Sequence, residues 1–338
     1  MDVYSTAFLI AVVEELKPPQ SWFLDRYFPT VVQSNTEEIK FDVKGGKRRI
    51  APFVSPLLEG KLVESLGYTT KTFKPAYIKD KRVFDPDQPL KRAVGERLGG
   101  DRSPMNRLAT TIAAEMADQA DMITRRLETM AVEVLRTGKV TVTGEGYDTV
   151  VVDFGRNANH TVTLSGATRW GQSGIKPLDN LETWTNTVLQ NSGAGIVDVV
   201  MDPDAWKLFV ADADVKALLD TRRGSTARIE SVNTPRIGAQ YKGQIGQWDF
   251  YVYQDWYVND AGSEVAMLPS NSVILGSGAV EGIRHFGAIR DEKAGYQPMA
   301  MFPKSWTTED PAVRYLMMQS APLIVPYRPD ATFAATVN

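Results

Sequence analysis

The chain has no cysteine at all and only two histidines among its 338 residues. The first absence removes disulfides, cysteine-ligated zinc, iron–sulfur clusters and thiol nucleophiles together, and it fits a reducing compartment. The second leaves any Ser-His-Asp arrangement dependent on His160 or His285. His160 closes the turn-like stretch Asn157-Ala158-Asn159-His160 and reads as a surface-loop residue. His285, in Gly282-Ile283-Arg284-His285-Phe286-Gly287, reads as a packed structural residue. Neither falls in a zinc spacing.

Long apolar runs are also missing. The longest near the start, Ala7 to Val13, is followed by Glu14 and Glu15. It is too short to span a bilayer, and no basic segment precedes it as in a secretory signal, so a protein made in the cytosol without a membrane partner is expected. Net charge is −3, so no overall positive field draws the chain onto phosphate backbones. The glycine-rich Leu275-Gly276-Ser277-Gly278-Ala279-Val280-Glu281-Gly282 lacks the G-x-x-x-x-G-K-[ST] spacing of a phosphate loop and reads as a loop between strands. These absences predict no catalytic residues, no metal and no cofactor.

What remains is ordinary for a globular protein: 43% apolar and 23% charged residues, in a chain long enough for two or so domains. Tyr4 to Leu16 reads as a short amphipathic helix, stopped by Pro18 and Pro19. Ser103 suits an N-cap and Pro104 the first helical position. Met105, Leu108, Ile112, Met116, Ala120, Ile123, Leu127, Met130 and Val134 then recur at helical steps up to the stop at Thr137-Gly138. Such a helix reaches about 50 Å, long for a compact domain. A coiled coil is the alternative, but heptad spacing holds only from Met116 to Val134.

Val140 to Phe154 reads as a hairpin around Gly144-Glu145-Gly146, Leu178 to Gln190 as a helix, and Ile196 to Met201 as a buried strand. A further helix begins at Asp202-Pro203, Trp248 to Tyr253 is a strand, Val258 to Gly262 is a turn, and Val313 to Val325 reads as one long terminal strand. The whole is α+β, two lobes sharing a long helix.

Two stretches suggest contact with a neighbour. From Leu57 to Pro86, β-branched and aromatic residues interleave with lysines, which predicts a long hairpin arm with little burial of its own. Lys71, Phe73, Lys74, Tyr77, Lys79 and Arg82 are its candidate contact residues. In Leu219-Asp220-Thr221-Arg222-Arg223-Gly224-Ser225, the adjacent Arg222 and Arg223 could hold a phosphate or pair with carboxylates of another subunit. The second reading is favoured because no ligand-binding framework surrounds them.

In order, Val54-Ser55-Pro56, Phe73-Lys74-Pro75-Ala76-Tyr77-Ile78-Lys79, Gly138-Lys139, Thr143-Gly144-Glu145-Gly146-Tyr147-Asp148, Val152-Asp153-Phe154-Gly155-Arg156, Leu219 to Ser225, Tyr241-Lys242-Gly243, Pro303-Lys304-Ser305-Trp306, Asp310-Pro311 and Gln319-Ser320-Ala321-Pro322-Leu323 resemble the lambda-type phage major capsid proteins, nearly end to end. The resemblance implies the Hong Kong 97 capsid fold. Its parts would be an N-terminal arm over 1–36, an E-loop hairpin over 37–92, a peripheral domain over 93–193 with a spine helix at 103–138, an axial domain over 194–282, a peripheral return over 283–318 and a terminal strand over 319–338.

The implied function is a shell subunit forming hexamers and pentamers of an icosahedral head around the double-stranded DNA of a tailed phage. Assembly would occur in the host cytoplasm and the product would be the virion capsid. No charged helical segment precedes the arm, so a separate scaffolding protein is expected, with a portal protein and a small decoration protein as further partners. The Lys-to-Asn isopeptide crosslink of one branch of the fold is not implied. An encapsulin-like compartment and, more distantly, a small-oligomer enzyme binding an anionic substrate through Arg222 and Arg223 are the competing readings.

Overall fold

The computed structural model describes residues 5–16, 21–36, 38–44, 68–84, 103–144, 146–222, 238–259, 261–309 and 313–338. Helices α1 (Thr6–Glu15) and α2 (Trp22–Tyr27) lead to strands β1 (Thr30–Gln33), β2 (Ile39–Lys44), β3 (Tyr68–Phe73) and β4 (Ile78–Phe84). The long α3 (Pro104–Thr137) is followed by β5 (Lys139–Gly144), β6 (Tyr147–Asp153), β7 (Thr161–Thr163), α4 (Pro177–Ser192), β8 (Asp198–Met201), α5 (Pro203–Ala211) and α6 (Ala213–Arg222). Then come β9 (Ala239–Ile245), β10 (Trp248–Tyr253), β11 (Trp256–Val258), β12 (Glu264–Ala266), β13 (Ser272–Gly276) and β14 (Gly282–Phe286). The chain ends with β15 (Phe302–Thr307), β16 (Arg314–Ser320), β17 (Pro322–Pro326) and β18 (Phe333–Thr336).

The α3 helix begins and ends where its cap residues dictate. The Ser103 hydroxyl accepts the Asn106 N–H at 3.3 Å, Pro104 fills the first turn, and Gly138 takes the left-handed conformation at φ 71° while its N–H bonds the Val134 carbonyl. Its apolar stripe, from Leu108 through Ile112, Met116, Ile123 and Leu127 to Leu135, is buried. The helix touches α2, β5, β16, β17 and β18, so one element runs under several layers.

Its C-terminus is closed by Arg156, whose guanidinium donates to the Leu135 and Arg136 carbonyls at 2.6 Å each. A cation at that end also complements the helix dipole. Burial pushes the guanidinium down to about 10. A Cβ at Gly138 would lie 2.6 Å from the Arg156 Cβ, so both φ and space require glycine there.

The largest sheet has six strands in the order β7-β18-β13-β8-β10-β9. Its central strands β8 and β13 are buried throughout, which explains their unbroken apolar runs. Trp170, Trp184 and Phe333 stack in series, and Trp206, Phe209 and Phe250 form a second aromatic group joined to Trp170 through Phe209. Two three-stranded sheets, β1-β14-β17 and β15-β16-β4, pack beside α3, and the described residues add three two-stranded ribbons: β2-β3, β5-β6 and β11-β12.

Three expectations need correction. The strands expected to pair within Leu57–Pro86 do not pair with each other. β3 pairs with β2, from Phe73 opposite Ile39 to Tyr68 opposite Lys44, whereas β4 joins β16. Pro75 lies between them, without an N–H for any ladder and packed against Gly287, and it divides the two strands.

The single terminal strand is in fact two. β16 lies between β15 and β4, β17 pairs with β14, and Pro322 opens the second at the crossing, where the Ala321 carbonyl accepts the Gly287 N–H at 2.9 Å.

His160 is fully buried, not a surface-loop residue. Its Nδ1 lies 3.1 Å from the Thr332 carbonyl and so donates, leaving Nε2 to accept from the Asn191 amide at 3.0 Å. Burial lowers its pKa, and the neutral ring bolts the Asn157 turn to α4 and to Thr332, just before β18. His285 is packed within β14, as expected.

Candidate functional site

With few catalytic groups in the sequence, the site to be sought is a set of surfaces. Among the described residues no group of three acidic or histidine side chains could hold a metal ion, and no helix is long and apolar enough to cross a membrane.

The candidate arm residues mostly bond within their own chain. The Lys71 ammonium donates to the Asp153 carbonyl, tying the base of the β2-β3 ribbon to the β5-β6 ribbon. Asp153 in turn pairs with Lys139 at 2.9 Å, and that bond holds its carboxyl below the usual range. Phe73 is half-buried against the main core. The Tyr77 hydroxyl donates to the Ala288 carbonyl and accepts the Arg290 N–H at 2.7 Å. The Lys79 ammonium and Arg290 guanidinium each sit 5.6 Å from its ring centre.

Arg82 reaches Glu115, Asp118 at 2.6 Å and Asp80 at 3.2 Å, and so pins β4 onto α3. Lys74 and Lys79 are exposed. Arg222 is the last residue of α6, with a side chain outside the described set, and Arg223 lies outside the described residues. Of the expected arm from Leu57 to Pro86, residues 57–67 and 85–86 lie outside the described residues, as do 45–56 and 87–102.

The ribbons expose apolar side chains. Trp256 and Val258, on one face of the β11-β12 ribbon, are 50% and 64% exposed, and Val150 and Val151 lie open on β6. Among the described residues each ribbon has two strands, an arrangement of marginal stability alone, with edges able to accept another strand.

Sequence reasoning missed the seat of α2. Arg26 grips Asp198 of β8 through Nε at 2.7 Å and Nη2 at 2.5 Å, and the Tyr27 hydroxyl donates to the same carboxylate at 3.0 Å. Glu128 of α3, 3% exposed, accepts the Phe23 and Leu24 N–H groups at 2.8 and 3.0 Å and the Tyr253 hydroxyl at 3.2 Å. The available signal was a glutamate on an apolar stripe, one turn before Val132 and two before Leu135.

Comparison with known proteins identifies the family. The model of a family described as phage major capsid protein E matches residues 5–337. The major capsid protein of Escherichia phage lambda is 34% identical, and that of Escherichia phage N15 is 33% identical, each over 98% of both chains. Among solved structures, one described as a prophage capsid protein of E. coli CFT073 superposes with a TM-score of 0.77 at 21% identity, covering 100% of both chains.

Proposed function

Because the chain belongs to the phage major capsid protein E family, we infer that it is a head-shell subunit of a tailed bacteriophage, whose copies form hexamers and pentamers of an icosahedral shell around double-stranded DNA. The fold is α+β and Hong Kong 97-like, and the protein is a component of the virion capsid. The observation that carries the assembly reading is the set of two-stranded ribbons with open edges and exposed apolar residues, which gain their burial from neighbouring copies.

In this reading 1–36 serves as the arm, 37–92 as the E-loop, 93–193 and 283–318 as the peripheral domain, and 194–282 with 319–338 as the axial domain. Lys71, Tyr77 and Arg82 hold the root of the E-loop in place, and Lys74 and Lys79 reach the neighbour. A separate scaffolding protein, a portal and a decoration protein complete the head, assembled in the host cytoplasm. The packaged DNA is enclosed without sequence-specific contacts, and the family of structural proteins supports no enzymatic role. An encapsulin-like compartment is disfavoured by the same family match.

Expression alone and with a candidate scaffold, followed by sedimentation and electron microscopy, tests this. Large hollow particles are expected, and their subunits run singly on denaturing gels. A small closed oligomer would overturn the shell reading. A covalent ladder that survives boiling in detergent would overturn the absence of crosslinks.

Arg222 and Arg223 are assigned to contacts between subunits. Replacing both with Ala is expected to lower shell melting at low salt and to matter little at about 1 M salt, where the Debye length falls to roughly 3 Å. Equal melting of variant and parent at every ionic strength excludes that role.

A further inference from the structure

Helix α2 lacks a local cap. Ser21, at its N-cap, makes no side-chain bond to the helix, and its hydroxyl is buried without a partner among the described residues. The first N–H groups of a helix have no intrahelical acceptor. Here two of them, from Phe23 and Leu24, are taken by the carboxylate of Glu128, more than a hundred residues away on α3. The same carboxylate takes the hydroxyl of Tyr253 on β10. One buried acid therefore joins the N-terminal segment, the long helix and the largest sheet.

The charges around it do little to neutralise it. On α2, Asp25 disfavours the carboxylate, while Arg26 is committed to Asp198 of β8. From β10 and the residues after it come Tyr251, Tyr253 and Asp255, none of them a cation. The Tyr253 hydroxyl also lies 3.3 Å from the Met267 sulfur. Burial and the adjacent Glu128 push the Tyr253 phenol well up, so it keeps its proton.

We propose that Glu128 makes the seat of α2 a proton-linked latch: the docked segment holds a proton on Glu128, and releasing α2 exposes the carboxyl to water and gives that proton up. The step balances within the site. A solvent proton adds to Oε1, whose O–H then donates to the Tyr253 oxygen. The Tyr253 hydroxyl turns toward the Met267 sulfur, the remaining lone pair of Oε1 goes on accepting the Phe23 N–H, and Oε2 goes on accepting the Leu24 N–H.

The direction follows from burial. In the docked chain burial pushes Glu128 up to about 7, against the opposing bonds from Phe23, Leu24 and Tyr253, whereas a solvated glutamate titrates near 4.3. The docked state binds more protons between those values, so docking is favoured in acid, weakens as pH rises through that window, and levels off above about pH 8. The latch is a property of the single chain and does not depend on the shell reading.

Amide hydrogen exchange of residues 21–28 in the unassembled full-length chain reads it, after correction for the intrinsic pH dependence of exchange. Protection is expected to fall by up to about a hundredfold from pH 5 to pH 8, with β13 as a control that stays level. In Glu128→Gln the amide imitates the protonated acid, and protection should be high and flat across the range. Infrared spectra of the unmodified chain should lose one protonated-carboxyl band with a midpoint near 7, a reading that needs no variant. Flat protection in the parent chain overturns the proposal, as does a pH dependence that survives in Glu128→Gln. Shell formation is assayed separately, so neither result bears on it.

Discussion

Replacing residues 45–67 with an Asn-Gly turn is expected to leave a chain that folds and melts like its parent but forms no shells. The register makes the replacement possible. β2 and β3 run opposite each other from Ile39–Phe73 to Lys44–Tyr68, so a two-residue type I′ turn can close the ribbon at its last described pair. The root of the ribbon lies elsewhere, in fully buried Ile39, half-buried Phe73 and the bond from Lys71 to the Asp153 carbonyl, none of which the replacement touches. A two-stranded ribbon buries little against itself, and the stability of the free chain should therefore be insensitive to its length. Shells are different, because in the proposed E-loop reading each copy then loses a contact with its neighbour, and the loss is repeated at every contact of that kind. Sedimentation of the variant beside its parent, with a thermal melt of each free chain, separates the two effects. Shells of normal yield would sink the idea, and a lowered melt of the free chain would show that the segment packs at home.

What the sequence made legible was local. The α3 helix could be read to within a residue because both its caps and its stripe lie in neighbouring positions: Ser103, Pro104, Gly138 and the apolar residues between them. The hairpin β5-β6 was legible for the same reason, as two strands joined by a short glycine-bearing turn, whereas at β11-β12 only the turn from Val258 to Gly262 was read and not the strands beside it. Pairing across long separations was not. β4 carries strand composition, but nothing in it names β16 as its partner, more than two hundred residues on. His160 was misread because its turn composition is that of a surface loop. A short 3-10 helix, Ala158–His160, instead aims the ring inward, toward the carbonyl of Thr332, which lies just before the terminal strand and far off in sequence. The arm candidates were chosen for their chemistry, and that chemistry is used at home by Lys71, Tyr77 and Arg82, whose acceptors are also distant in sequence.

The seat of α2 gives the largest expected loss of stability from one side chain. Asp198 lies in β8, between β10 and β13, with its side chain only 3% exposed, while that of Arg26 is 31% exposed. The fork of Arg26 matches the carboxylate with two bonds, and the guanidinium also lies 5.0 Å from the ring centre of Tyr251 and 5.7 Å from that of Trp22. Arg26→Ala leaves a buried carboxylate with Tyr27 as its remaining side-chain partner among these, a loss of about 3–5 kcal/mol. For a chain of this size that lowers the melting temperature by roughly 5 °C. Arg26→Lys keeps the charge but not the fork, and should fall between the parent and Arg26→Ala. Asp198→Ala strands the Tyr27 hydroxyl at a cost of about 1–3 kcal/mol, while the half-exposed Arg26 can turn to water. The double variant removes the unpaired charge altogether and should be no less stable than Arg26→Ala alone, a departure from additivity that coupled neighbours show and distant independent sites do not. Calorimetry of the unassembled chains decides among these outcomes. If the two losses simply add, or if Arg26→Ala costs less than about 1 kcal/mol, the pair is an ordinary surface bridge and α2 is held by its aromatic residues and Glu128 alone.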